Sequence, residues 1–457
     1  MGSYSGASWK QEGGVGRVLA LSKSSALPLC SQPTPVLHAA NRVTRNKMHA
    51  CSELVSALRG LLAPARPPRL LGAGLADAAG RGSLRALQCS ALRVRPSRER
   101  MEPARNRAPP GAGGAHGDPG AGGAGGAAAR ALLAELERQV QGVVRASSWW
   151  QRRGVDCAIL ALSLLAVPAG FLCLRFENVL LFATGIAILG VCHSTLTVKG
   201  SHLATHSALT QSKRWSKLWM LFFVEVCTAF PAEDGKYNHV KMHHGYTNVV
   251  GLGDSSTWKL PSLNRYVYMF LAPLSIPILT PLVALGRLRT VELRLALRSL
   301  GLISLGLYSQ YWLFLNVSGF RSPSSALACM LLTRSLLVHP YLHVNIFQHL
   351  GLPMFAPDKK PSRIYMMSLG VLNLPRLPVL DWAFGHSLIS CHVEHHLFPE
   401  LSDNMCLKVK PLVSQFFREK QLPYNEDSYL ARLRLFLSHY EEFMVHAPPI
   451  TELVGLQ

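Results

Sequence analysis

Two long apolar runs, separated by only a few polar residues, constrain the fold of this chain more than any other feature. Residues 155–174 (VDCAILALSLLAVPAGFLCL) and 178–198 (NVLLFATGIAILGVCHSTLTV) are each about twenty residues long, the length that an α-helix needs to cross a bilayer. A membrane-spanning segment has to satisfy its backbone hydrogen bonds internally, so these runs predict helices. The short RFE sequence between them predicts a hairpin that returns to its starting side.

Basic residues flank both ends of this hairpin: Arg152 and Arg153 precede it, and Lys199 and Lys213 follow it. Because cytoplasmic segments are enriched in Lys and Arg, we expect both ends in the cytoplasm. The chain of 457 residues carries a formal net charge of +21 although 49% of it is hydrophobic. That combination suits a protein that faces an anionic leaflet of the bilayer.

Three further apolar stretches, 266–285, 299–317 and 324–342, leave two ways to build a second hairpin. Residues 266–285 contain three prolines and precede the basic linker GRLRTVELRLALR. We therefore expect this stretch to lie in the plane of the membrane, with 299–317 and 324–342 as the spanning pair. The alternative spans the membrane with 266–285 and 299–317. Both predict an all-α, polytopic membrane protein with four transmembrane helices in two hairpins.

The N-terminal part has a different composition. Residues 1–100 are basic and lack sustained periodicity, and a second methionine follows at Met101. We expect a disordered basic leader that need not be part of the mature protein, followed by a disordered Gly/Ala/Pro-rich segment at 101–128. No nucleic-acid role is expected, since aromatic residues are not interleaved with the leader's arginines. Apolar residues at helical spacing predict an amphipathic helix at 129–150 that lies against the membrane.

Histidines are concentrated in three short clusters, KGSHLATH, HVKMHHGYTN and CHVEHHLFP. Spacings of three and four residues place imidazoles on one face of a helix, where they can hold one ion together. The neighbouring histidine of each HH pair points about 100° away on a helix and can reach a second ion. One tetrahedral zinc site cannot use so many ligands, so two ions are predicted. The clustered residues are His202, His206, His239, His243, His244, His392, His395 and His396.

Other polar residues accompany these clusters. The segment HVNIFQH adds a ninth histidine, His349, four residues after Asn345. Asn345, Asp254, His386 and Glu394 are candidates to orient the ligands from outside. Neutral imidazole suits iron, copper, zinc or nickel. A pair of irons is the choice that also activates oxygen.

The patterns HxxxH, HxxxHH and HxxHH, in this order and with apolar hairpins around them, resemble the membrane-bound fatty acid desaturases. The resemblance extends from about 150 to 430. It implies a membrane fatty acid desaturase domain at 151–430, with a histidine-rich helical cap on the cytoplasmic side, and a C-terminal cytoplasmic tail at 431–457. It also implies two iron ions held by His202, His206, His239, His243, His244, His349, His392, His395 and His396.

The implied reaction introduces a double bond into a fatty acyl chain, with O2 as co-substrate that is reduced to water. The acyl chain would arrive as fatty acyl-CoA or linked to a lipid, at an endoplasmic reticulum membrane, with the site facing the cytoplasm. Electrons would come from cytochrome b5 and its reductase. Because the chain lacks the His-Pro-Gly-Gly motif of a fused cytochrome b5 domain, that donor would be a separate protein.

The alternatives are a lipid hydroxylase or sphingolipid desaturase on the same scaffold, or a non-catalytic membrane protein that senses lipid. His392 occupies the position where front-end desaturases usually have Gln, which argues against that specificity.

Overall fold

A computed structural model of the chain describes residues 124–252, 260 and 262–447. Regular structure within these residues is almost entirely helical, as expected for an all-α fold. The short strands β1 (Leu372–Asn373) and β2 (Asn425–Glu426) pair in parallel, with Leu372 opposite Asn425. The predicted leader at 1–100, residues 101–123, Asp254 and residues 448–457 lie outside the described residues.

The helices follow one another in this order. The α-helices are α1 (Ala124–Ala146), α2 (Val155–Cys173), α3 (Val179–Ser194), α4 (Ser201–Thr205), α5 (Lys213–Met220), α6 (Ala232–Lys236), α7 (Ile276–Arg287), α8 (Leu293–Asn316), α9 (Pro323–Ser335), α10 (Val338–Phe347), α11 (Arg363–Gly370), α12 (Pro378–Phe384), α13 (His392–Leu397), α14 (Asp403–Glu419), α15 (Tyr429–Ser438) and α16 (Tyr440–His446). π-Helical segments cover Trp150–Gly154, Thr195–Gly200, Leu221–Thr228, Tyr237–His243 and Val267–Leu271, and 3₁₀ turns cover Ala272–Ser275, Leu288–Thr290, Pro357–Lys359 and His386–Leu388.

The first predicted hairpin is present as α2 and α3. The turn between them ends at Asn178, whose side-chain oxygen accepts hydrogen bonds from the backbone N–H groups of Leu180 and Leu181. Such an N-cap satisfies two backbone donors that the first turn of a helix leaves free. Beyond α3 the chain stays helical through Thr195–Gly200 into α4, so the apolar rod leads directly into the first histidine cluster.

Within the described residues, four helical segments are long and apolar enough to cross a membrane. They are the two arms of the first hairpin, Trp150–Cys173 and Val179–Thr205, together with Val267–Thr290 and Pro323–Phe347. This set matches neither predicted pairing, because α8, which covers the predicted span 299–317, is not in it. The second half of α8 reads LYSQYWLFLN, and its polar and aromatic residues lower its hydropathy.

Contacts at the turns show where α8 and α9 lie. The turn between them packs against the turn of the first hairpin: the hydroxyl of Ser318 donates to the backbone carbonyl of Phe171 over 2.9 Å. Close by, the rings of Phe182 and Phe320 lie 6.4 Å apart between centroids. The α8–α9 turn therefore lies at the end of the first hairpin that is remote from the histidine clusters. In packing, α8 and α9 form a second hairpin beside the first, as the preferred pairing predicts.

The segment Val267–Thr290 contacts the opposite end of the molecule. Near its start, the carbonyl of Met269 lies 2.9 Å from Nε2 of His343. Near its end, Ala284 packs in one apolar cluster with Leu203 and Ala204, beside the first histidine cluster. Both ends of this segment thus lie toward the histidine-bearing side, which agrees with the predicted in-plane placement, although its hydropathy alone would permit a span.

Helix α1 covers the histidine-bearing layer. Leu136 and Val140 are fully buried and pack with Ile364 of α11 and Val409 of α14. The expectation that this apolar stripe lies against the membrane is wrong, because the stripe packs against protein. The helix also begins at Ala124, so the last residues of the segment predicted to be disordered are helical.

The predicted C-terminal tail is folded as far as it is described. Phe436, Tyr440 and Met444 of α15 and α16 are buried in one apolar cluster with Phe347 of α10. Apolar residues at helical spacing in this segment form a face that has to be covered. The C-terminal helices thereby support the end of α10, just ahead of His349.

Candidate metal centre

The structure brings together all nine histidines that the sequence selected, and all nine are buried. They form two adjacent groups, and within each group one ring nitrogen from every histidine lies within 4.8 Å of those from the others. The first, called here the five-histidine group, contains His202, His206, His239, His244 and His395. The second, the four-histidine group, contains His243, His349, His392 and His396.

Each group draws on distant parts of the chain. The first cluster lies on α4 and at its end, the second on the π-helical segment Tyr237–His243, and the third on α13. His349 follows the end of α10. Because the two membrane hairpins hold the starting points of these segments side by side, the histidines meet at one end of the helical bundle.

The distances between facing ring nitrogens fit metal coordination. Nε2 of His349 lies 2.8 Å from Nε2 of His392, and Nε2 of His243 lies 3.2 Å from Nε2 of His396. In the other group, Nε2 of His395 lies 3.0 Å from that of His244. Two nitrogens that bind one ion at about 2.1 Å, at right angles, would lie about 3 Å apart. Each group can therefore hold an ion.

The two adjacent HH pairs divide between the groups, as predicted. His243 and His396 belong to the four-histidine group, whereas His244 and His395 belong to the five-histidine group. The rings of His244 and His396 stack with centroids 4.2 Å apart. The two candidate ion sites are therefore neighbours.

One detail of the spacing argument is wrong. His239 and His243, four residues apart, were expected to share an ion, yet His239 is grouped with His244. The cause is the π-helical segment, in which the N–H of His244 donates to the carbonyl of His239. A π-helical turn closes on the fifth residue rather than the fourth, and such turns are frequent at functional sites.

Hydrogen bonds fix the tautomer of several rings. Nδ1 of His349 lies 3.0 Å from the carbonyl of Gly370, and Nδ1 of His392 lies 2.8 Å from the carbonyl of Ser387. A carbonyl can only accept, so both Nδ1 atoms carry the proton. Nε2, which points into the group, is then free to bind a metal.

Two hydroxyls act in the same way. Thr247 donates its hydroxyl proton to the carbonyl of His243, and its oxygen lies 3.2 Å from Nδ1 of His396. Ser387 donates to Asp403, and its oxygen lies 3.1 Å from Nδ1 of His202. Each hydroxyl has committed its only proton, so each accepts from the imidazole and leaves Nε2 as the free nitrogen.

Burial keeps these rings neutral. It lowers the pKa of His349 to about 4, although the bond to the Gly370 carbonyl partly offsets this. Burial and the neighbouring imidazoles lower the pKa of His395 and His396 well below the usual range. Neutral imidazole is the form that binds metal.

Several ring nitrogens are also buried without a hydrogen-bond partner, among them Nε2 of His202, Nε2 of His206 and both nitrogens of His239. Ions in the two groups would supply those partners.

A buried chain of charges supports the first cluster. The ammonium group of Lys199 lies 2.8 Å from a carboxylate oxygen of Asp156 and 2.5 Å from one of Asp403. Asp403 in turn accepts hydrogen bonds from the backbone N–H and the hydroxyl of Ser387, which contacts His202. This chain connects the starts of α2 and α14 to a candidate ligand. Sequence reasoning missed it, although an aspartate and a lysine at the ends of apolar runs were a visible signal.

Gly385 makes room for this carboxylate. It has a φ of +99°, and a Cβ atom there would lie 2.2 Å from Oδ2 of Asp403. Any larger residue at 385 would displace Asp403 and, through Ser387, the ring of His202.

The predicted supporting residues are placed differently. Glu394 is buried but accepts from Asn373 and Tyr424; its burial raises its pKa to about 7. Nδ1 of His386 lies 3.1 Å from Asp381, and the amide of Asn345 donates to the carbonyl of Tyr341. The contacts recorded for these three residues within the described chain do not reach the nine rings. Asp254 lies outside the described residues.

A helical fold with four candidate membrane spans, in which three histidine clusters converge on one buried site that could hold metal ions, is typical of a class of membrane-bound enzyme. A family model described as "Fatty acid desaturase" matches residues 177–428, more than half of the chain. The chain therefore belongs to the fatty acid desaturase family, as its motifs predicted, and is an enzyme of that class.

Curated relatives agree with this assignment. The chain is 83% identical over 329 residues to fatty acid desaturase 6 of Bos taurus, covering 72% of this chain and 96% of that protein. It is 78% identical over 357 residues to fatty acid desaturase 6 of Mus musculus, covering 78% of this chain and all of the mouse protein. A shorter match, 26% identical over 115 residues and 25% of each chain, is to the Delta(5) fatty acid desaturase fat-4 of Caenorhabditis elegans. The chain is thus similar over most of its length to fatty acid desaturase 6 of two mammals.

Proposed function

We propose that this enzyme is an oxygen-dependent di-iron desaturase that introduces a double bond into a fatty acyl chain. The observation that carries the proposal is the division of nine buried, neutral histidines into two adjacent groups. Iron is preferred among the metals that imidazole suits because removal of hydrogen from an unactivated C–H bond requires a metal that activates oxygen. When bound, a pair of irons would supply that oxidising chemistry.

The proposed ligands are the residues of the two groups. Five nitrogens, from His202, His206, His239, His244 and His395, would hold one iron. Four, from His243, His349, His392 and His396, would hold the other.

The chain itself would orient these ligands and exclude water. Gly370, Ser387 and Thr247 hold ring tautomers that direct Nε2 into the site. All nine rings are at most 6% exposed, so bulk water has little access. A dry, preorganised site strengthens electrostatic interactions and suppresses side reactions.

The proposed orientation places the histidine-bearing end in the cytoplasm, at the endoplasmic reticulum. Arg152 and Arg153 begin the first span and Lys213 follows its return, so basic residues collect at this end, as the positive-inside rule requires. The acyl chain would arrive as fatty acyl-CoA or linked to a lipid. Cytochrome b5 and its reductase would approach from the same side and deliver electrons.

The test is to express the full chain in a host that supplies cytochrome b5 and its reductase, and to profile cellular fatty acids by mass spectrometry. The double variant His395→Ala, His396→Ala removes one proposed ligand from each group. The exposed His439 gives a matched control, His439→Ala, outside both groups. We expect a new unsaturated species from the wild type and the control but not from the double variant.

Other outcomes would redirect the proposal. A hydroxylated product would keep the metal centre and move the reaction to a lipid hydroxylase, since both reactions begin with removal of the same hydrogen. An unsaturated species that persists in the double variant would contradict the proposed ligands. Purified wild-type protein without iron would contradict the di-iron assignment.

A further inference from the structure

A small cavity lies among the membrane helices, and none of the nine site histidines lines it. Its volume is about 60 Å³, enough for a few waters or one small polar group but not for a whole ligand. One part of its wall is apolar, from Ile276, Leu337 and Val338. The rest is polar and includes His193, Thr197, Thr280 and Arg334.

Arg334 is the unusual member of this wall. It lies in the middle of the candidate span Pro323–Phe347 and is only 8% exposed. Its guanidinium donates to the side-chain oxygen of Gln310 over 2.9 Å and to the carbonyl of Thr228 over 3.4 Å. Its Nε atom is buried without a partner. Among the residues that the structure describes, no carboxylate forms an ion pair with it.

Two other shielded cations among the described residues are matched by carboxylates. Lys199 lies between Asp156 and Asp403, and Arg298 pairs with Glu225 and Glu233. Removing a charge from water costs several kcal/mol unless an opposite charge compensates it. An ionisable residue within a membrane span therefore marks a functional site by default. Arg334 faces a cavity, and within the described chain its charge has only neutral partners.

We propose that this cavity binds the carboxylate at the end of a long alkyl chain. The guanidinium of Arg334 would pair with the carboxylate, and its Nε–H, which is buried without a partner, would gain an acceptor. The apolar wall would receive the adjoining methylene groups. The carboxylate could belong to a free fatty acid or to the far end of an acyl chain whose other end is esterified. Because the site histidines do not line the cavity, the inference goes beyond the proposed function and does not require a metal.

The test uses purified full-length protein in nanodiscs of neutral lipid, with three probes of equal chain length. Palmitic acid carries one carboxylate, the monomethyl ester of hexadecanedioic acid carries one at the far end of an ester, and methyl palmitate carries none. We expect at least one of the two acids to bind about tenfold or more tightly than methyl palmitate, by native mass spectrometry and titration. The tighter acid identifies which end of a chain the cavity holds.

Two variants separate charge from structure. Arg334→Gln should bring both acids to the affinity of methyl palmitate, and Arg334→Lys should retain part of the difference. Arg321, exposed in the turn between α8 and α9, provides the matched control Arg321→Gln, which should leave the preference unchanged.

Equal binding of all three probes to the wild type would overturn the proposal, as would an acid preference that survives in Arg334→Gln. If Arg334→Gln does not fold, the comparison of the three probes on the wild type still decides. These readouts require neither iron nor turnover, so their failure is distinguishable from failure of the proposed desaturation.

Discussion

The two histidine groups are held in place very differently. In the four-histidine group, the Nδ1 atoms of His349, His392 and His396 all have hydrogen-bond acceptors from the surrounding chain. In the five-histidine group, a comparable support is recorded only for His202, through Ser387. Nitrogens of the other four rings, including both of His239, are buried without partners.

This difference indicates which histidine rings the surrounding chain orients before a metal binds. A ring whose Nδ1 is already bonded is locked in tautomer and orientation, and such partners typically change metal affinity by 10–100-fold. The four-histidine group should therefore bind its ion more tightly. The five-histidine group should depend on the ion itself to order its rings, and on the chain of charges behind His202.

Removing a ligand should have the largest effect. We expect His206→Ala and His396→Ala each to lower desaturation by at least about 100-fold, above the usual effect of losing an outer partner. Their metal contents should differ, because His206→Ala leaves the better-oriented group intact and should retain one ion per chain. Iron measured by plasma mass spectrometry on purified protein checks this. Equal loss of both ions in His206→Ala would contradict the expected difference in metal affinity between the two groups.

Asp403→Asn should have the next largest effect. It leaves the buried ammonium group of Lys199 with Asp156 alone and weakens the support of Ser387 beneath His202. Loss of one partner from a buried ion network costs about 3 kcal/mol, and thermal unfolding in detergent would measure it. We expect the five-histidine group to lose its ion first. A matched variant, Asp358→Asn, changes an exposed aspartate and should alter neither property.

Thr247→Val tests the support of the four-histidine group alone. The substitution keeps the shape but removes the acceptor for Nδ1 of His396, so we expect about a tenfold weaker hold on that ion. Competition with a chelator measures the change. Thr184→Val, on an exposed site of α3 where the hydroxyl bonds its own helix, is the control. An unchanged chelator profile would show that this hydroxyl does not orient the ring.

Glu394→Gln should have the smallest effect. Its carboxylate accepts from Asn373 and Tyr424 rather than from a ring of either group. We expect a change in stability of about 1 kcal/mol and an unchanged iron content. A loss of iron would instead indicate that Glu394 helps to orient the ligands, as its position within HVEHH suggested.

The sequence predicts the members of the site better than their arrangement. Spacing within the three clusters selects the residues, since three sets of histidines at helical intervals beside apolar helices are improbable by chance. It fails for the partner of His239, because local π-helical geometry leaves no clear signal in a motif. The link from Lys199 to Asp403 joins residues 204 positions apart, and only the folded chain brings them together.

The fold, too, is predicted from the sequence only in part. Apolar length and basic flanks predict the first hairpin and the number of candidate spans, but not which segments make up the second pair. They do not predict that α1 packs on α11 and α14, or that α15 and α16 complete the core around α10. Apolar stripes of this kind have to be covered, but the sequence does not say whether lipid or protein covers them.

The most direct test of the account is the iron content of the purified wild type during stepwise removal by a chelator. Two ions per chain should leave in two separate steps, and His206→Ala should show only the later, tighter step. One ion in the wild type, or two that leave together in a single step, would contradict the account of two histidine groups with unequal support.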